Sequence, residues 1–277
     1  MSRKIWFITG ISSGFGKALA REVIQNGDFV VGTFRKAEQV ERFNQDNKGL
    51  GLGLLMDVTD NQAINAAFTR IDQEFGRLDV LVNNAGYGFA GAIEEANLEE
   101  IRAIFEVNVF GALQVTQQAL PLMRRQKSGH ILQISSGAGF KATAGFGIYN
   151  ATKFALEGFS EALADEVRPL GIRVTIVEPG PFRTEFAAGS LVSAAREIQD
   201  YAPSAGIFRQ RMAGIDGKQE GDPVKGAAAI IQMVNTLEAP MRLPLGRIVL
   251  GNLQAKLDSV RKDMEDWRTV SEATVFE

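Results

Sequence analysis

The sequence predicts a doubly wound α/β domain built on a parallel sheet, and three observations predict it. Short apolar runs alternate with longer segments of helical period along most of the chain. The runs are continuously apolar rather than alternating, the pattern of strands covered by helices on both faces. The first run passes directly into the glycine-rich turn TGISSGFG and then into a helix, the order expected of the first strand–turn–helix unit of such a sheet.

Taken in order, strands are predicted at 4–9 (KIWFIT), 28–34 (DFVVGTF), 52–57 (LGLLMD), 79–83 (DVLVN), 130–135 (HILQIS) and 172–178 (IRVTIVE), with helices at 15–26, 37–46, 60–75, 98–127 and 149–168. Asp60 is placed to cap the helix at 60–75, and the Gly-Arg after Phe75 to end it. After Thr184 the alternation stops. Residues 185–221 are rich in Gly, Ala, Ser, Gln and charge, with Phe186, Tyr201 and Phe208 scattered among them, and read as a mobile substrate lid. Helical period returns after Asp222, a natural cap, with Pro223 at the first helical position. A short strand at 246–250 (GRIVL) would extend the sheet. Leu253, Leu257, Val260, Met264 and Trp267 then recur at alternating spacings of four and three, so 252–271 reads as an amphipathic helix expected to dock on the body of the protein. Residues 1–277 thus form a single domain.

Composition narrows the function classes. Thirty basic and 33 acidic residues give a net charge of −3, and no long basic run exists, which argues against nucleic-acid or membrane partners. There is no cysteine, hence no disulfide, thiolate nucleophile or thiolate metal site, as suits a cytoplasmic protein. A single histidine, His130, removes most histidine metal sites, and no metal is expected. The run after MSRK is too short for a signal peptide, and no apolar stretch reaches the roughly 20 residues of a membrane span.

The chemistry-bearing residues cluster at predicted strand ends. Gly10, Gly14 and Gly16 let the first turn approach a pyrophosphate, and the N–H groups that open the next helix favour anions. Asp57 ends the third strand, where its carboxylate would accept from an adenine amino group. Asn83 to Gly86 (NNAG) end the fourth: Asn83 suits a structural role, and Gly86 lets the chain pass close to a ring. Ser136 follows the fifth strand, and Tyr149 stands thirteen residues later in YNATK with Lys153 one helical turn beyond. Asn108 lies within an apolar helical stretch, unfavourable unless its amide is paired. Ser135 and Ser136 point to opposite faces of a strand. A serine hydrolase would need His130, which is up to about 20 Å from Ser136 along an extended strand.

These pieces together resemble the short-chain dehydrogenase/reductase family, in its compact single-domain branch. TGISSGFG at 9–16, DVT at 57–59, NNAG at 83–86, VN at 107–108, ISS at 134–136, YNATK at 149–153 and EPG with Thr184 appear in the family's order and spacing over residues 3 to about 184. The resemblance implies a Rossmann fold and a catalytic tetrad of Asn108, Ser136, Tyr149 and Lys153. Tyr149 would be the general acid; Lys153 would lower its pKa and hold the nicotinamide ribose. Ser136 would orient the carbonyl, and Asn108 would anchor a water leading to Lys153. Coenzyme contacts would come from Gly10, Ser12, Ser13, Gly14, Phe15, Gly16, Arg35, Asp57, Val58, Asn84, Ala85, Gly86, Tyr149, Lys153, Pro179, Gly180, Phe182 and Thr184. A homo-oligomer, dimer or tetramer, is expected.

Phe34 stands where the family's NAD-dependent members carry an acidic residue, and Arg35 and Lys36 follow. A carboxylate would repel a 2′-phosphate that Arg binds well, so NADP(H) is expected over NAD(H). Ser12 and Ser13 stand where some NADP-preferring relatives carry a basic residue. The substrate wall would come from 87–93 (YGFAGAI), 139–148 (GFKATAGFGI) and the loop after Thr184, all largely apolar. The expectation is a carbonyl reductase or alcohol dehydrogenase acting on a hydrophobic ketone, aldehyde or secondary alcohol. GTFR in the second strand and RLPLG at 242–246 bring the chain nearest to hydroxysteroid and retinol dehydrogenase-like members. Two alternatives stand beside it: an epimerase or dehydratase of the same superfamily, and a non-catalytic NADPH-sensing regulator.

Overall fold

The computed structural model describes residues 3–276. Seven parallel strands form one sheet: β1 (Ile5–Ile8), β2 (Phe29–Phe34), β3 (Gly51–Leu55), β4 (Val80–Asn83), β5 (Gly129–Ile134), β6 (Ile172–Pro179) and β7 (Arg242–Leu245). Their order across the sheet is β3-β2-β1-β4-β5-β6-β7, so the winding reverses between β1 and β4. Helices α1 (Gly14–Gln25), α2 (Ala37–Asp46), α3 (Asn61–Phe75), α4 (Leu98–Phe105), α5 (Ala112–Gln126), α6 (Gly147–Val167) and α7 (Pro223–Val234) cover both faces, and α8 (Arg247–Asp266) follows the last strand.

Burial on both faces explains the unbroken apolar runs. In β1, Ile5 and Phe7 face a core shared with Phe68 of α3, Val115 and Met123 of α5 and Val167 of α6. Trp6 and Ile8 face the opposite core with Leu19 and Val23 of α1 and Ile230 and Val234 of α7. Helix boundaries follow local chemistry. The Asp60 carboxylate accepts from the N–H groups of Gln62 and Ala63, and Gly76 closes α3 in the left-handed conformation with φ 64°. Asp222 caps α7 in the same way.

Three expectations are corrected. The helix predicted over 98–127 is interrupted by a wide π turn at Glu106–Gly111, which the hydrophobic period alone does not reveal. The last strand is Arg242–Leu245 rather than 246–250. Gly246, at φ 106°, turns the chain out of the sheet, and the apolar run after it is helical because Val249 packs over Gly137 and Gly180. The amphipathic tail does not dock on the body. Within α8 only Val249 is buried, and Leu257, Met264 and Trp267 face solvent. The insertion 185–221 carries structure of its own: a helical turn at Phe186–Gly189, a helix at Ile207–Gly214, and a short strand, Leu191–Ser193, paired in parallel with Gly88–Ala90.

His130 sits deep in the sheet. Its Nε2 lies 2.9 Å from the Thr175 hydroxyl, and that hydroxyl donates to the Pro240 carbonyl at 2.7 Å. The hydroxyl proton is therefore used, so Nε2 carries the imidazole proton and Nδ1 is left buried without a partner. Burial first, and the Arg173 charge second, push the imidazole down to about 3. Below the ordinary histidine pKa the unfolded chain takes a proton that the folded chain refuses, so this group withdraws stability as the pH falls from about 6 toward 3. Wild type should be the more stable of wild type and His130→Gln at neutral pH. Their difference should shrink by on the order of 1.4 kcal/mol per pH unit below about pH 6. Urea unfolding at pH 7, 6, 5 and 4 measures it; a constant difference would contradict the assignment.

Candidate active site

The site is built at the C-terminal ends of β1, β4, β5 and β6, where α/β sheets take ligands. A cleft of about 780 Å³ runs along this edge, from Arg35 and Asp57 past Gly10, Gly14 and Asn84 to Ser136, Tyr149 and Lys153. Every residue expected to touch a coenzyme or to act in catalysis lines this cleft except Asn108.

The glycine turn is held from below. Thr9 Oγ accepts from the N–H groups of Asn84 and Ala85 at 2.9 Å, and Asn84 Nδ2 returns bonds to the carbonyls of Thr9 and Gly10 at 2.8 and 2.9 Å. Gly10 and Gly14 have φ of 68° and 59°, which other residues adopt with strain. Gly16 has a different reason: a Cβ there would lie 2.3 Å from Asn84 Nδ2. Ser13 begins α1 without a side-chain capping bond, so the first-turn N–H groups stay open to an anion. Phe15 and Phe182 meet edge to face at 5.3 Å and brace the turn against the loop after β6. Val58 is buried beneath the cleft, and a Cβ on Gly111 would stand 2.8 Å from it. Asp57 Oδ1 already accepts from the backbone and hydroxyl of Thr59, which orients its carboxylate. Asn83 is structural, donating to Thr116 of α5 and to Gln133 of β5. These residues fit a dinucleotide: open helix N–H groups beside a turn whose glycines at 10, 14 and 16 leave its backbone approachable, continuous with a deeper, largely apolar chamber.

At the far end of the cleft, α6 carries Tyr149 and Lys153 on its buried face. Lys153 Nζ donates to the Ile134 carbonyl at 2.8 Å and lies 5.7 Å from the centre of the Tyr149 ring. Ser136 caps the turn after β5, accepting from Ala138 N at 3.1 Å; its hydroxyl is 3.5 Å from the Pro179 carbonyl, a marginal bond. Burial pushes the Tyr149 phenol upward, and the Ser136 hydroxyl pulls the other way. The phenol thus holds its proton, and the lowering expected from Lys153 is corrected: burial and Ser136 set the shift, and the lysine charge has no part in it. Burial lowers Lys153 to about 8, while the Glu157 carboxylate raises it. Asn108 rides on the π turn. Its amide donates to the Tyr87 carbonyl at 2.9 Å and Thr152 Oγ at 3.1 Å, and its oxygen accepts from Tyr87 N at 3.0 Å. Asn108 therefore touches Thr152 of α6 rather than Lys153 itself, and its amide is paired as its apolar setting demands.

Phe34 lines the cleft but buries its ring against Phe43 at 5.4 Å. The place expected to face a ribose therefore keeps its side chain mostly in the core. Arg35 is exposed at the rim and has no carboxylate partner among the described residues.

The segments expected to supply the substrate wall, 139–148 and the loop after Thr184, do line the cleft, but which of their side chains meet was beyond sequence reasoning. Phe146 stacks on Tyr149 at 4.2 Å, and Phe208 and Phe186, from the insertion, close the aromatic wall at 4.8 Å from Phe146 and 6.1 Å from Tyr149. Behind Lys153 lies a charged cluster. Ser135 donates to Glu157 at 2.5 Å, and Arg242 binds Glu157, Glu161 and Glu178 together. Burial and the Glu157 charge raise Glu178 to about 7, against the pull of Arg242. A glutamate one turn after a lysine is common in helices, so only the fold shows that this one is buried. The insertion is pinned by Glu95, whose fully buried carboxylate accepts from Arg209 at 2.6 Å and from the N–H groups of Ala92 and Ile198 at 2.7 and 2.9 Å. The Arg209 guanidinium holds Glu95 down to about 2.

Known proteins agree with this architecture. The family model described as short chain dehydrogenase matches residues 4–192. An oxidoreductase named BOA17 from Botryotinia fuckeliana is 36% identical over 98% of this chain and 99% of its own. A 3-ketodihydrosphingosine reductase from Bacteroides thetaiotaomicron is 38% identical over 90% of each chain. A crystal structure of a short-chain dehydrogenase from Streptomyces avermitilis superposes with a TM-score of 0.93 at 43% identity, covering 99% of both chains. Two more distant solved structures differ in coenzyme. ElxO has NADP bound (27% identity, TM-score 0.74, 90% of this chain and 100% of its own), whereas a Burkholderia phymatum protein of the same fold holds NAD (22%, 0.83, 95% of each).

Removing Arg209 would strand the Glu95 charge inside the protein, a change that typically costs about 3–5 kcal/mol. In Arg209→Gln the amides of 195–214 should exchange with deuterium at least tenfold faster, while those of β1, β4 and β5 keep wild-type rates. Unchanged exchange in 195–214 would show that Glu95 does not fasten the insertion.

Proposed function

The chain belongs to the short-chain dehydrogenase family, and on that footing we propose that it is an NADPH-dependent reductase of hydrophobic ketones or aldehydes, running also in reverse on secondary alcohols. It is an NAD(P)-dependent oxidoreductase; the coenzyme preference, substrate class and residue roles are our inference. The observation that carries them is the convergence of Tyr149, Ser136 and Lys153 at the inner end of a cleft whose outer end is a glycine cradle.

When bound, the nicotinamide supplies the hydride that the carbonyl carbon receives. The protein's part is to hold the carbonyl oxygen and deliver a proton to it. Ser136 Oγ, whose contact with the Pro179 carbonyl at 3.5 Å is marginal, keeps a proton available to donate to that oxygen and orient it. Tyr149, kept protonated by burial, gives up its phenolic proton as charge develops on the oxygen. Lys153 stabilises the phenolate that remains, and its fixed place comes from the Ile134 carbonyl. Asn108 acts at one remove, through Thr152 and the Tyr87 backbone, to keep α6 and the loop after β4 in register. The inner chamber is walled by Phe146, Phe186 and Phe208, which exclude water and favour an apolar substrate. We assign the segment 185–221 as the substrate lid, fastened at Glu95 and swinging where it is not fastened.

Support for NADPH comes from Arg35 at the rim and from the absence of any acidic side chain at the end of β2. The B. thetaiotaomicron relative's name, a ketoreductase, is in line with ketone reduction. An epimerase would share the Tyr–Lys pair, but the aromatic wall beside Tyr149 favours an apolar substrate over a sugar nucleotide. A purely coenzyme-sensing protein would have no use for a buried acid beside a serine.

Tyr149→Phe should fold and bind coenzyme as wild type does while losing about 10²-fold or more in turnover of any ketone that wild type reduces. Comparable rates in a stopped assay of NADPH absorbance would remove Tyr149 from the chemistry. For coenzyme choice, Arg35→Ala should weaken NADPH by roughly ten- to a hundredfold, the worth of a charged hydrogen bond to phosphate, and leave NADH nearly unchanged. Equal losses for both in kcat/KM would assign Arg35 to the adenine pocket instead. The buried Phe34 ring makes Phe34→Asp a poor partner experiment, since the new carboxylate would enter the core.

A further inference from the structure

The substrate side of the cleft carries two cations without an ionic partner. Phe208, Arg211, Met212 and Ile215 line it from the helix at Ile207–Gly214 and its end, the spacing of a single helical face. Phe208 rests on Phe146 beside Tyr149, so Arg211, one turn on and exposed, stands farther out. The other arginine of this helix, Arg209, is spent on Glu95 and Glu197, whereas Arg211 has no carboxylate partner among the described residues. Lys141, on the turn after β5, lines the same cleft and is half-buried. Among the described residues its Nζ meets the neutral Asn252 Oδ1 of α8, at a long 3.4 Å, and no carboxylate. The acidic side chain on this side of the cleft, Glu100, is occupied: Oε1 accepts from Ala195 N and Oε2 from Asn97 N, both at 2.9 Å. Gln219, 4% exposed and also on the cleft wall, has no hydrogen-bond partner for its Oε1.

We infer that the substrate is an apolar ketone or aldehyde ending in an acidic oxyanion, such as a carboxylate, which Lys141 of the body and Arg211 of the lid receive together. The inference rests on the reductase reading above and adds to it the polar end of the substrate. Three arguments select an anion. A half-buried ammonium has given up part of its hydration, and a neutral amide at 3.4 Å returns little of it. Lysine and arginine are donors only, so the missing partner is an acceptor, and an ionised one makes the stronger bond. The chain carries a net charge of −3, so a cationic pair on the cleft wall reverses the field that an incoming anion meets. The coenzyme's phosphates have donors of their own in the open N–H groups of α1 and the Arg35 rim. Lys141 lies elsewhere, beyond Ser136 on the turn that packs against Val249 of α8. Because Arg211 rides on the lid and Lys141 on the body, an oxyanion held between them also draws the lid onto the chamber.

The test compares keto acids with their methyl esters, using ω-carboxylated methyl ketones of graded chain length at saturating NADPH. At the best length, wild-type kcat/KM should be at least about tenfold higher for the acid, with the gain in KM because the anion lies away from the reacting carbonyl. Lys141→Met and Arg211→Met should each reduce this acid-to-ester ratio by at least about fivefold, and added salt should reduce it in wild type. Arg211 is exposed, so Arg211→Met keeps the test open if Lys141→Met does not fold. Calorimetry without coenzyme is a readout independent of turnover. Decanoate should bind wild type more tightly than decanol does, and that difference should vanish in Lys141→Met/Arg211→Met. Equal kcat/KM for acid and ester in wild type, or a ratio that both variants leave unchanged, would overturn the inference and leave the reductase standing. Failure to reduce any ketone would remove the reductase reading instead; calorimetry then decides the anion site alone, and decanoate bound no more tightly than decanol overturns it.

Discussion

The edge of the sheet depends on one polar stitch, the exchange of hydrogen bonds between Thr9 and Asn84. It joins the ends of β1 and β4, the two strands between which the winding of the sheet reverses. A reversal leaves a crevice, and a crevice at strand ends leaves backbone N–H and C=O groups without ladder partners. Asn84 satisfies two carbonyls of the glycine turn, and Thr9 satisfies two N–H groups of the loop after β4. The stitch also demands space. Gly16 leaves room for the Asn84 amide, and a Cβ on Gly10 would press on Ala85 at 3.1 Å. Glycines usually credited to ligand approach are thus required first by the protein's own hydrogen bonds.

The second polar centre lies one layer deeper. Three glutamates surround Arg242, two of them buried, and Lys153 stands beside them on α6. Such a cluster holds its charges only where each is paired. Glu157 takes both the Ser135 hydroxyl and Arg242, which ties the serine preceding Ser136 to the helix that carries Tyr149. The two neighbouring serines therefore divide their work: one anchors the turn from within, and the other faces the cleft.

The sheet and its order of elements were legible because two-sided burial writes itself as unbroken apolar runs, as in KIWFIT and IRVTIVE. The strand-end motifs were legible because turns, caps and close approaches restrict residue types locally, as at Asp60, Gly76 and Gly10. What escaped depends on distant partners. The π turn under Asn108 shows no change of hydrophobic period. GRIVL is as apolar as any strand, and only Gly246 and the packing of Val249 decide that it is helix. The wall segments 139–148 and the loop after Thr184 were legible as apolar, but the contact of Phe146 with Phe208 was not, because no regular period links them. The solvent-facing tail has the same spacing as a docked helix, so pattern alone could not tell where its apolar face points.

The pairing of Gly88–Ala90 with Leu191–Ser193 has a bearing on how the molecule assembles. Apart from the Phe182 brace, the coenzyme cradle is drawn from β1 to β4, its stitch between Thr9 and Asn84 closing over 75 residues. This ribbon instead joins strands roughly a hundred residues apart, and the entropy of closing so long a loop must be met before the contact forms. The cradle can mature with the first units of the sheet, whereas the substrate wall waits for β6 and everything that follows it. One edge of the cleft is thereby an early product of folding and the other a late one, so a partly folded chain would possess a place for the coenzyme's adenosine half before it possesses anywhere to put a substrate.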